Sequence, residues 1–153
     1  MRAFASALLF VGATLLFSSP AQAWTRGEVT GAAFVDPASV PVRSPARFTA
    51  EMCNVGTSSV GGTAFLGTYL PRGMGYRVVT PPTRGVCRAV LTGSYTYLYC
   101  TVSLSPGQCG DAVIDVTPTT AGTFTLYVLA DSANVLRETN ETDNRASVTF
   151  SAY

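Results

Sequence analysis

Residues 94–104 read Ser94-Tyr95-Thr96-Tyr97-Leu98-Tyr99-Cys100-Thr101-Val102-Ser103-Leu104. Successive side chains of a β-strand point to opposite faces of its sheet. Tyr95, Tyr97 and Tyr99 therefore share one face, and Thr96, Leu98 and Cys100 share the other. Residues 86–91 lie just upstream, across a turn at Thr92-Gly93-Ser94, and complete a hairpin. Further out the same period recurs. Segment 47–54 sets Phe48, Ala50 and Met52 against Thr49, Glu51 and Cys53. Segment 111–117 sets Ala112, Ile114 and Val116 against Asp111, Val113 and Asp115. Segment 123–130 puts Phe124, Leu126, Val128 and Ala130 on one face, and 146–153 closes with Val148 and Phe150. Segments 28–35, 40–43, 63–70 and 75–80 are also extended, and three of them end at Asp36-Pro37, Pro71 and Pro81-Pro82. Helical periodicity is missing, and turn residues recur every 8–12 positions. The expectation is an all-β sandwich or barrel forming one domain.

Composition narrows the function. Of 153 residues 47% are hydrophobic and 12% charged, and there is no histidine. Low charge argues against disorder, and the lack of a basic excess argues against nucleic-acid binding. Without histidine there is no Ser-His-Asp or Cys-His catalysis and no His-ligated zinc. Residues 1–23 read as a signal peptide: Arg2, then an apolar run to Phe17, then Ser18-Ser19-Pro20 and the Ala21-Gln22-Ala23 cleavage signal. The run is too short to span a membrane. The mature domain is expected over 24–153, secreted to the cell exterior or periplasm, with no membrane insertion after cleavage. Every cation in it is arginine. Charge is uneven along the chain: residues 52–110 hold Arg72, Arg77, Arg84 and Arg88 with no acid, whereas six acids follow from Asp111 onward. Such a dipole permits self-association, although mutual neutralisation within one sandwich is the simpler reading.

Cys53, Cys87, Cys100 and Cys109 make an even set behind a leader, which reads as two disulfides. Three pairings are possible. Cys87 and Cys100 flank the 88–99 hairpin, which favours Cys87–Cys100 and leaves Cys53–Cys109. No pair has the C-x₂₋₄-C spacing of a metal site. No cofactor is expected.

The run Val135-Leu136-Arg137-Glu138-Thr139-Asn140-Glu141-Thr142-Asp143-Asn144, followed by a strand, resembles the closing signature of the CARDB domain, the cell-adhesion-related domain of bacteria. Asn54-Val55-Gly56-Thr57 and Leu104-Ser105-Pro106-Gly107-Gln108 are similar to turns of that family. Leu70-Pro71-Arg72-Gly73 and the cysteines at 87 and 100 look closer to a sister family of bacterial surface repeats. The resemblance covers roughly residues 29–150 and implies an immunoglobulin-like Greek-key β-sandwich of about seven strands. In that order the second and fifth strands are neighbours. Cys53 ends the one and Cys109 begins the other, so Cys53–Cys109 would staple one sheet rather than join two.

Three features are candidates for function. Glu138, Asn140, Glu141, Asp143 and Asn144 all offer oxygen, the ligand calcium takes. No D-x-D-x-D-G loop is present, however, and Asn and Asp also hold tight turns through local bonds, so the turn reads as structural. The row Tyr95, Tyr97 and Tyr99 is the candidate binding face, because tyrosine combines an apolar ring with a polar tip. Its plainer reading is a ladder bracing the hairpin. Arg72, Arg77, Arg84 and Arg88 are too sparse to form a clear anion site. The expected function is a secreted, non-catalytic binding or adhesion module contacting an extracellular protein or glycan. The alternatives are a loop-presenting inhibitor of secreted enzymes and, least favoured, a glycosidase using two carboxyls across a cleft.

Mass spectrometry of the exported product is expected to show a chain starting at Trp24 and lacking four hydrogens, with Cys87 linked to Cys100. A free thiol on any cysteine ends the two-bridge reading. Calcium titration is expected to leave the melting temperature unchanged. A rise of several degrees would make the 138–144 turn a ligand site, because a ligand that binds only the folded state stabilises it.

Overall fold

The computed structural model describes residues 27–153. The leader read over 1–23 and its junction at Trp24 lie outside the described residues. Ten strands run in chain order: β1 Val29–Asp36, β2 Ser39–Val40, β3 Ala46–Asn54, β4 Val60–Pro71, β5 Met74–Thr80, β6 Cys87–Thr92, β7 Tyr95–Leu104, β8 Cys109–Pro118, β9 Gly122–Leu129 and β10 Arg145–Ala152. They form two facing sheets, β1-β3-β8-β5 and β2-β10-β9-β4-β7-β6. This is the all-β architecture expected from the alternation and the immunoglobulin-like sandwich that the family resemblance implies. The strand count exceeds seven because three short or peripheral pieces also pair. β2 contributes only two residues, parallel to β10. β5 leaves β4 to flank β8 in the opposite sheet, and β6 extends the larger sheet beyond β7. The extended piece read at 40–43 joins the ladder at Val40 and bonds the Tyr153 carbonyl through the Val42 N–H, and Arg43 turns the chain away with φ 68°.

Inward positions follow the period of two. Phe48, Ala50 and Met52 of β3 and Ala112, Ile114 and Val116 of β8 are buried from one side. Leu66 and Leu70 of β4, Leu98, Cys100 and Val102 of β7, Leu126 and Val128 of β9 and Phe150 of β10 are buried from the other. These residues belong to a single hydrophobic cluster. Each large side chain taken fully out of water contributes about 1.5–3 kcal/mol, which is what holds the layers together.

Both disulfides join directly opposed residues of antiparallel neighbours. Cys53 opposes Cys109 across β3 and β8, and Cys87 opposes Cys100 across β6 and β7. Each staples one sheet. In the chain-entropy picture the bridges, 56 and 13 residues apart in sequence, are worth about 4 and 3 kcal/mol respectively.

Charge sorts by sheet rather than by half of the chain. The six strands of the larger sheet contain no Asp or Glu, and their only charges are Arg88 and Arg145. The smaller sheet carries Asp36, Glu51, Asp111 and Asp115 with Arg47 and Arg77. On its outer face Asp115 sits in register between Arg47 and Arg77 and bonds both, at 3.2 and 2.7 Å. The Arg77 hydrogen bond, seconded by Arg47, holds the Asp115 carboxyl below its ordinary range. Arg77 is thereby committed to a structural pair. Glu51 directly opposes Asp111. Burial, then the like charge of Asp111, pushes the Glu51 carboxyl up.

A carboxyl raised in the folded state favours folding at low pH and opposes it as pH rises through the folded value. Asp111→Asn removes the like charge. The variant is expected to melt higher than the parent near neutral pH, and by much less near pH 3, where the raised Glu51 carboxyl carries its proton and no longer repels Asp111. Thermal melts at the two pH values check this, and an equal shift at both would refute the repulsion.

Candidate functional site

The outward positions of the larger sheet build the site. Leu98 is 2% exposed and Cys100 1%, so the alternate residues of β7 point out, with Tyr95 half exposed and Tyr97 and Tyr99 partly covered. β7 pairs with β4 so that Tyr97 opposes Tyr69 and Tyr99 opposes Gly67. β4 pairs in turn with β9, where Tyr69 opposes Tyr127. A row perpendicular to the strands results: Val90 of β6, Tyr97, Tyr69, Tyr127, and Ser147 of β10. The neighbouring row is Arg88, Tyr99, Gly67, Leu129 and Arg145.

The rings make contact along and across the strands. Tyr69 and Tyr97 have centroids 5.0 Å apart, Tyr97 and Tyr99 5.5 Å, and Tyr69 and Tyr95 5.9 Å. Phe65 of β4 closes the far end edge-on to Tyr99 at 5.5 Å. Aromatic pairs at these separations add about 0.5–1.5 kcal/mol each beyond burial. Tyr127 has no ring partner among the described residues and is 51% exposed. Beside it runs a groove of about 400 Å³ between Tyr69, Tyr127, Leu129, Arg145 and Ser147.

The middle tyrosine is anchored. The Tyr97 hydroxyl donates to Ser132 Oγ at 2.6 Å, and burial pushes its pKa up. Ser132 itself is held by its backbone N–H on the Phe65 carbonyl. Gly67 makes this possible, because a Cβ there would lie 2.8 Å from both Ser132 and the Tyr97 oxygen. Covering a strand glycine with a cross-strand ring restores packing that the missing side chain gives up.

The 138–144 turn is built differently. Glu138, only 8% exposed, accepts from the Val29 backbone N–H and from Asn144 Nδ2. Burial, opposed by those two bonds, pushes its carboxyl up. Glu141 accepts from the Glu138 N–H and Asn144 Nδ2 at 3.3 Å each. Asn140 Oδ1 accepts from the N–H and hydroxyl of Thr142, at 3.1 and 2.6 Å. The N–H groups of Thr139 and Asn140 donate to Glu28. The backbone carbonyls of Asp143 and Asn144 receive Gly31 and Ala130. The turn thus ties β1 and β9 together. Asp131, Asp143 and Asn144 each keep one buried side-chain oxygen without a protein donor. Among the described residues, the group of three cysteine or carboxylate ligand atoms close enough to share an ion is Glu51, Cys53 and Cys109. Its two sulfurs are joined in a disulfide, so neither is available as a thiolate.

The structure separates the four arginines of residues 72–88. Arg77 lies on the smaller sheet, Arg88 on the larger, Arg84 in a loop, and Arg72 reaches the Gly93 carbonyl at 3.5 Å. The tyrosine face gains Phe65 and Tyr69 of β4 and Tyr127 of β9. Their outward positions are readable from the period of two, but the register that gathers them is not.

No family model and no curated protein sequence matches the chain. Solved structures do match. The crystal structure of the CARDB domain of the PF1109 protein from Pyrococcus furiosus, in complex with di-metal ions, aligns with a TM-score of 0.62 at 19% identity. The alignment covers 84% of this chain and 96% of that domain. The solution structure of the same domain aligns with a TM-score of 0.62 at 22% identity, over 83% and 95% respectively. The chain therefore has the CARDB fold, in agreement with the resemblance of residues 135–144 to that family's closing signature.

Gly67→Ala is expected to cost about 1–3 kcal/mol by overpacking against Ser132 and Tyr97. Tyr97→Phe, which removes only a hydrogen bond, is expected to cost about 0.5–1.5 kcal/mol. Urea unfolding of both variants measures this, and a neutral Gly67→Ala would contradict the close packing at that position.

Proposed function

We propose that the protein is an exported, non-catalytic binding module of adhesion type that holds an extracellular protein or glycan on the tyrosine face of its larger sheet. The observation that carries this reading is the continuous set Tyr95, Tyr97, Tyr69 and Tyr127, spread over three adjacent strands beside an open groove. Tyrosine is enriched among the residues that dominate binding energy. Two disulfides in one small domain support an oxidising compartment outside the cytosol. Support for the absence of catalysis comes from the acids. The opposed pair Glu51 and Asp111 shares one sheet face, and the buried Glu138 is engaged by backbone and amide donors. Neither arrangement places two carboxyls across a cleft, as glycoside hydrolysis requires, and the hollow that Asp131 and Glu141 do line also holds Arg145.

The structure also selects the residues to test. Tyr97 is tied to Ser132, so truncating it disturbs the fold. Tyr69 and Tyr127, 38% and 51% exposed, are better probes. Glycan and secreted-protein arrays probed with the parent and with Tyr69→Ala and Tyr127→Ala should show each variant binding at least about tenfold more weakly per folded molecule, Tyr127→Ala at nearly unchanged melting temperature and Tyr69→Ala at a lower one because it loses two ring contacts. If the variants bind as the parent does and only melt earlier, the rings are braces and the reading fails.

A further inference from the structure

The groove at one end of the tyrosine row has a definite chemistry. One wall is Tyr127, whose ring is not stacked on another, and Tyr69 stands opposite it across the strand pair. Leu129 stands beside Tyr127 in the neighbouring row, and Arg145 and Ser147 of β10 border the far side. Arg145 is exposed and, among the described residues, makes no ion pair. It also borders a second hollow that Asp131 and Glu141 line, on the loop side of the strand. On the sheet itself no acid competes for it, because none occurs in any of the six strands. Arg88 stands in the same cross-strand row as Arg145, at the opposite edge of the aromatic patch. Four strand spacings of about 4.8 Å separate their backbones by roughly 19 Å. The other outward side chains around the rings are mostly hydroxyls: Thr92, Thr101, Thr125, Ser147 and Thr149.

Resting on the binding reading above, we infer that this face takes an acidic polysaccharide. A sugar ring packs its C–H face on Tyr127 within the groove, and its carboxylate meets the Arg145 guanidinium. The chain then crosses the strands along Tyr69 and Tyr97, and a second carboxylate reaches Arg88. Three properties of the face select this ligand. An open aromatic ring suits the apolar face of a pyranose. A guanidinium fork matches a carboxylate in two parallel hydrogen bonds. A rim of threonine and serine offers donors and acceptors to sugar hydroxyls, whereas the centre of a protein interface is apolar.

Polygalacturonate and its fully methyl-esterified form have the same sugar rings and differ in charge, so they make the discriminating pair of probes. Calorimetric titration should show the parent protein binding polygalacturonate at least about tenfold more tightly than the ester, with affinity falling as salt is added. Arg145→Gln should lose most of that preference, Arg88→Gln a smaller part, and Tyr127→Ala should weaken binding to both polymers. Equal affinity for the two polymers in the parent would overturn the acidic class, while a Tyr127→Ala loss in the same experiment would leave the tyrosine face standing. Full binding by Tyr127→Ala would overturn the face itself. Failure to bind polygalacturonate, or equal binding of poly-glutamate, would overturn the polysaccharide assignment.

Discussion

The register in which β7 meets β4 governs both sides of the larger sheet at once. Leu66 opposes Cys100 and Gly67 opposes Tyr99, so the residues flanking each pair are committed to opposite faces. A slip of one residue would drive three tyrosines into the core and turn Leu98 and Cys100 out to water. Burial of Leu98, Cys100 and Val102 against the β3 and β8 side chains opposes that slip, and the Cys87–Cys100 bridge fixes the other edge of β7 against β6. The outer face is therefore positioned by the inner one. No tyrosine has to secure its own location, which leaves Tyr69, Tyr95 and Tyr127 open to solvent.

The two sheets divide the electrostatic work of the domain. The smaller sheet uses its charges internally, with Arg47 and Arg77 bracketing Asp115 and Glu51 set against Asp111. The Arg47–Asp115–Arg77 pairing stabilises little, and Glu51 beside Asp111 leaves that sheet with an acidic excess. The larger sheet has two arginines and no acid, and neither arginine pairs within the described residues. Its field is weak but of one sign, and it borders an apolar patch rather than a charged one.

Much of this fold was legible in the residues, because strand alternation, proline stops and glycine turns are local signals. Cys87 and Cys100 flank a short hairpin, so their pairing follows from spacing, and Cys53–Cys109 follows from the strand order that the 135–144 motif implied. The candidate face was legible only along β7. Tyr69 and Tyr127 lie 26 or more positions from Tyr95 or Tyr97 on their own strands, and nothing local says that β4 sits between β7 and β9. That adjacency comes from packing two sheets of unequal width. The acidic turn was recognisable as a motif, but its task was not. Glu138 meets the backbone of Val29 from 109 residues away, and no local pattern encodes that contact.

That contact and its neighbours have a kinetic consequence. β1 pairs early in the chain with β3, but its first residue is capped by Glu138, and Gly31 bonds the Asp143 carbonyl. β2 has its ladder partner in β10, with Ser39 opposite Ser151, 112 positions later. Closing contacts of such sequence separation carry the full entropy of a long loop before any burial rewards them. During synthesis the upstream strands thus lack their last partners until residues 138–152 have been made. The sandwich therefore cannot close until nearly the whole domain has been synthesised.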